Sequence, residues 1–163
     1  MTTNDLIEFL DFQRSKTLAY IDGLAKVGDV KKALGWRPGP GRAHIAWQLM
    51  HIAATDDRHV HVRMGPPGGQ PQDAELVRRF AGGSTPDDDI PSVEAIKTYL
   101  DAQRKNVIAI LKKLDEKALA TKPNDQAPWT FQEWVKVLAW HEAHHQGQAH
   151  LTLNLYKAAH GIK

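Results

Sequence analysis

Along nearly the whole chain apolar residues recur at intervals of three and four rather than two, so the segments able to bury a face do so as helices and none reads as a strand. Four long segments carry this period. The first runs from about Asn4 to Val27 with Leu6, Phe9, Leu10, Ile21 and Leu24 inward; Gly28 and the charged stretch to Lys32 end it. Trp36-Arg37-Pro38-Gly39-Pro40-Gly41 leads into the second, from about Arg42 to Arg63, with Ile45, Leu49, Ile52 and Val60 on its apolar stripe. The third follows Pro91 with Ser92 as N-cap and runs to about Leu114 through Ile96, Leu100, Val107, Ile110 and Leu111. The fourth opens on a capping box, Thr130-Phe131-Gln132-Glu133, and continues to about Ala159, with Gly161 just beyond.

The stretch from Gly65 to Pro91 is turn-rich, with one short helix expected at Ala74 to Phe80, capped by Asp73 and closed by Gly82. A connection of that length lets the third helix start at the same end as the second, which predicts a crossover rather than an antiparallel neighbour. The expected architecture is all-α: a four-helix bundle running up-down-down-up, with one hydrophobic core and one domain over residues 1–163.

Composition narrows the function. At 163 residues, 42% of them hydrophobic, the chain has the size of one compact domain. No apolar run approaches the ~20 residues of a spanning helix, and Met1-Thr2-Thr3-Asn4-Asp5 lacks the basic then apolar start of a secretory signal, so a cytoplasmic location is expected and a membrane partner is not. The formal net charge of +2, without clustered Lys and Arg, argues against a nucleic-acid partner. With no Cys there are no disulfides, thiolate metal sites or cysteine nucleophiles, and any metal must be held by nitrogen and oxygen. Against that background nine His stand out.

The densest group is Trp140-His141-Glu142-Ala143-His144-His145-Gln146-Gly147-Gln148 in the fourth helix. At ~3.6 residues per turn, His141 and His145 lie about 40° apart around the axis and one turn apart along it, so both rings can reach one ion. Trp134 and Leu138 share their stripe, which turns the pair toward the interior. His144 points to the other side and is the weaker partner. Burying two imidazoles without partners costs about 1 to 3 kcal/mol each, and two cations would repel; a shared divalent metal resolves both, as do separate hydrogen bonds to carbonyls or water. A third ligand should come from another helix. His51, in Met50-His51-Ile52-Ala53-Ala54, is the candidate, with a hydrogen-bonded core histidine as the alternative. His44, His59, His61, His150 and His160 lie near helix starts, charged ends or solvated positions and read as unconnected with a metal. Because each ligand must lose its proton, metal affinity is expected to fall as pH drops through about 6.5.

The pattern Ile45-Ala46-Trp47-Gln48-Leu49-Met50-His51 in the second helix, with His141-Glu142-Ala143-His144-His145-Gln146-Gly147-Gln148 in the fourth, resembles the DinB superfamily of bundle proteins. The likeness extends over the whole length, including the lead-in from Trp36 to Arg42 and the long connection. It implies that His51, His141 and His145 bind a divalent metal, nickel or zinc, with water completing the shell; Gly147 and Gln148 match the Gly-Gln of the family pattern. It also implies pairing as a homodimer, and it narrows the activity less. Some relatives are thiol S-transferases using bacillithiol or mycothiol, one group isomerises maleylpyruvate, and many have no assigned reaction.

Two functions follow from these residues. The first is a metal-dependent enzyme, a transferase or hydrolase acting with a low-molecular-weight thiol or another small molecule, in which the metal lowers the pKa of bound water or thiol. Glu142, Asp56 and Asp57 are the acidic residues nearest the ligands, yet Glu142 reads as a surface residue or an outer support and the two Asp as part of a solvated face, so no general base is identified. The second is a non-catalytic metal-binding or stress-response protein. A shaped cleft from solvent to the metal, rimmed by the Gly65 to Pro91 connection, would favour the first.

Overall fold

The computed structural model describes residues 1–162, and all the regular structure among them is helical. Helix α1 spans Thr3–Gly23 and starts at a capping box in which the Thr2 hydroxyl accepts from the Asp5 N–H and the Asp5 carboxylate from the Thr2 N–H. A 3-10 turn, Leu24–Val27, prolongs it until Gly28, at φ 82°, turns the chain away. Helix α2, Val30–Gly35, was not expected from the sequence: six residues are too few to show a period, but Asp29 caps them and Ala33 and Leu34 are buried.

Helix α3, Ile45–Arg58, starts later than the expected Arg42 because His44 is its cap. The His44 Nδ1 accepts from the Trp47 N–H at 3.0 Å, leaving Nε2 to donate to the Asp87 carbonyl at 3.0 Å. A π-helical turn, His59–Arg63, continues α3. Helix α4, Ala74–Arg79, is capped by Asp73 as expected, and α5, Val93–Leu111, by Ser92. A third short helix, α6 at Glu116–Leu119, has no sequence signature beyond its cap, Asp115. Helix α7, Phe131–His160, begins at the expected Thr130–Glu133 capping box and stops at Gly161 in the left-handed region.

Helix α3 packs against α7 and α5, and α1 packs against the same two. The buried apolar residues form two clusters rather than the single core expected. Ile21, Leu49, Leu100 and Tyr156 belong to one, and Leu6, Leu10, Val107, Leu111, Trp134 and Leu138 to the other. On each long helix a buried charged residue stands between them: Arg14, Asp56, Arg104 and Glu142. The Arg14 Nε donates to Glu142 Oε1 at 2.7 Å, its Nη2 to Asp56 Oδ2 at 3.2 Å, and its Nη1 to the Leu100 carbonyl. Arg104 Nη2 meets Glu142 Oε2 and lies 3.2 Å from Asp56 Oδ2. Two guanidinium groups against two carboxylates make the layer neutral, the condition under which buried ions are tolerated.

Three expectations about acidic residues are corrected. Glu142, expected at the surface or as an outer support, is 0% exposed and lies in the charged layer. Asp56 is buried in the same layer, and burial pushes its carboxyl up against the opposing pull of Arg104 and Arg14. Asp57, expected on a solvated face, is buried too, accepting from the Tyr99 hydroxyl, the backbone N–H groups of Gln72 and Asp73, and His61 Nδ1. A fourth correction concerns Phe9, which is 43% exposed: the inward stripe of α1 runs Leu6, Leu10, Arg14, Thr17, Ile21, and Phe9 falls beside it.

Candidate metal centre

His51 on α3 and His141 and His145 on α7 come together with one ring nitrogen of each within 4.8 Å of the others. The closest approach is between the Nε2 atoms of His141 and His51, 3.1 Å apart. Two of the rings are held by their far nitrogens. His51 lies flat against Trp47, centroids 4.7 Å apart at 14°, and its Nδ1 donates to the Phe80 carbonyl at 2.6 Å. His145 Nδ1 donates to Gln48 Oε1 at 2.5 Å. With hydrogen on both Nδ1 atoms, each Nε2 carries a lone pair, the arrangement by which a histidine is oriented toward a metal. His141 Nε2 is also 3.5 Å from the Thr55 hydroxyl.

Burial, followed by the neighbouring rings of His145 and His51, pushes His141 down to about 3. Burial and then His51 push His145 down to about 4, and burial lowers His51. All three rings are therefore neutral at pH 7, the form that ligates. The competition with protons expected near pH 6.5 moves down to about pH 4 for His145. Three neutral imidazoles with two tautomers fixed fit a divalent ion, and three protein ligands leave further coordination positions open.

The remaining histidines stand apart from this group. His144 is exposed, stacked on Trp140 with centroids 5.3 Å apart, and bonded to the Gln148 side chain at 3.0 Å. His61 binds Asp57, and His150 and His160 are exposed on α7. His59 is half-buried, with its Nδ1 donating to the Thr55 carbonyl at 2.7 Å and its ring edge-on to Trp134. Burial pushes it down to about 4.

A cavity of about 230 Å³ reaches His51 and His141. Val77, Phe80, Ala81 and Gly82 form one wall, so the long connection between α3 and α5 does rim the site. Thr55, Arg58 and His59 form a second wall, and Trp129 and Val137 a third. A larger cavity of about 490 Å³ lies between Arg63 and the segment Asn124 to Pro128 and touches none of the three histidines. Asp57 holds the first wall in place by accepting from the backbone N–H groups of Gln72 and Asp73 ahead of α4.

Residues that the sequence reading did not single out are Trp47, Gln48, Thr55, Arg58 and Trp129. Gln48 and Thr55 had a usable signal, since three residues before and four after His51 share its helix face. The sequence model of the DinB superfamily matches residues 9–149, which include all three histidines. No curated protein and no solved structure matches the chain.

Proposed function

Because the chain belongs to the DinB superfamily, we propose that it is a divalent-metal-dependent enzyme whose metal, nickel or zinc, is held by His51, His141 and His145. The carrying observation is the cavity that reaches two of those histidines from the surface. A bound divalent ion would draw the pKa of a coordinated water or thiol toward neutrality. The most concrete version is a thiol S-transferase that joins a low-molecular-weight thiol to an electrophilic carbon. Within the chain, Trp47, Phe80 and Gln48 orient the ligands, while Val77, Phe80 and Val137 keep the approach apolar. A cytoplasmic location and a homodimer belong to this reading, the latter supported by Trp140, Leu151 and Leu155, exposed along the outer side of α7. So does an up-down-down-up order, supported by α1 and α7 passing from the Leu6 cluster to the Ile21 cluster while α3 and α5 pass the opposite way.

A second reading, a non-catalytic metal-binding or stress-response protein, is favoured by one observation: among the described residues no carboxylate lines the cavity, so no strong general base faces it. Metal analysis of protein purified without a nickel column, paired with an assay for thiol transfer to an electrophilic carbon, separates the two. About one divalent ion per chain with turnover lost to chelator supports the enzyme. Bound metal without turnover supports the second reading, and no bound metal removes both.

A further inference from the structure

The cavity beside His51 and His141 contains one charged side chain, Arg58, the last residue of α3. Among the described residues, Arg58 makes no ion pair and no side-chain hydrogen bond, and it is exposed at the mouth. The histidines sharing the lining are neutral rings, and no carboxylate answers the guanidinium. A cationic molecule entering here would meet only positive charge. An anionic one would find a planar group of parallel N–H donors suited to a carboxylate.

The other walls describe the rest of the ligand. Val77, Phe80 and Val137 are apolar, and Trp129, 39% exposed, presents an indole at the opening. A cavity of about 150 Å³ accommodates benzene, so 230 Å³ has room for one ring and its substituents. Resting on the metal reading above, we propose that the cavity selects a small carboxylate with a flat apolar body about one ring in size, its anionic end at Arg58 and a donor atom at the other end toward His51 and His141. Arg58 is then the residue that sets specificity for charge, while the histidines hold the metal.

The test compares benzohydroxamate, whose hydroxamate ligates zinc, with its 3- and 4-carboxy derivatives, by calorimetry on zinc-loaded protein at pH 7. One of the carboxylated forms should bind about tenfold tighter than the parent in the wild type, the scale of one charge-assisted contact at a partly exposed site. Arg58→Gln, a change at an exposed side chain, should abolish that preference and leave the affinities for zinc and for benzohydroxamate unchanged. Equal binding of all three compounds to the wild type, or an undiminished preference in Arg58→Gln, overturns the inference while zinc titration leaves the metal centre standing. Failure of the wild type to bind zinc overturns the metal reading, and this inference with it.

Discussion

His141 Nε2 lies 3.1 Å from His51 Nε2, although 90 residues separate them along the chain. The Nδ1 of His51 is committed to the Phe80 carbonyl, so its Nε2 presents a lone pair and not a hydrogen. Without an ion His141 must supply the hydrogen between them. With an ion both lone pairs turn to it, and His145, whose Nδ1 is committed to Gln48, adds a third.

Metal should therefore stabilise the folded chain without being required for it. Two apolar clusters hold the helices together on either side of the charged layer, and an ion that binds only the folded state adds RT ln(1 + [L]/Kd), about 2.7 kcal/mol at a hundredfold excess over Kd. Thermal melts with saturating zinc should show a raised Tm, and protein treated with chelator should keep its helical circular dichroism at 25 °C. Unfolding by chelator at that temperature would make the metal structural and weaken the enzyme reading.

The metal-free protein should lose stability on acidification. Burial, helped by Arg63 and Arg58, pushes His59 down to about 4, and burial with the neighbouring rings pushes His145 down to about 4 and His141 to about 3, whereas the unfolded chain binds a proton near 6.5. Between those values the unfolded state carries more protons, so stability is fully present above about pH 6.5 and declines as pH falls toward 4. The well-buried His59 alone contributes a loss of about 1.5 kcal/mol between pH 6.5 and 5. Urea unfolding at pH 7, 6 and 5 should show at least that drop; a flat profile would mean the rings are hydrated in the folded state.

Much of this was legible in the sequence because it is periodic or local. The long helices follow from the spacing of Leu49, Ile52, Leu100 and Val107, the cap at Thr130 from its Glu133 partner, and the convergence of His141 and His145 from helical geometry. The charged layer was misread because charged residues are by default outward. Yet Arg14 continues the phase of Leu6 and Leu10, a signal for a buried cation that needs partners. The cavity wall had no local signal at all: it depends on Asp57 accepting from Gln72 and Asp73, across 15 and 16 residues. Helices α2 and α6 are shorter than any period can reveal.

Glu142→Gln should be costly far beyond an ordinary surface change. Glu142 receives Arg14 and Arg104, and its replacement leaves two buried guanidinium groups against Asp56 alone. Removing one partner of a buried ion pair costs about 3 to 5 kcal/mol, because the remaining charge is uncompensated. Urea unfolding of the metal-free variant should show a loss of that size. A loss below about 1 kcal/mol, typical of exposed pairs, would mean that water reaches the layer.

The two adjacent histidines of α7 should separate by role. His145 joins His51 and His141 with its Nδ1 fixed by Gln48, whereas His144 is turned out onto Trp140 and Gln148. His145→Ala removes one of three nitrogen ligands and should abolish tight zinc binding. His144→Ala removes an exposed ring and should change affinity by less than about threefold, the range of a surface substitution. Since burial with His51 holds His145 down to about 4, protons do not compete at pH 7, and calorimetric zinc titration there reads the loss of the ligand alone. Equal losses for the two variants, or a larger one for His144→Ala, would place the metal on the outer face of α7, away from the cavity that His51 and His141 line.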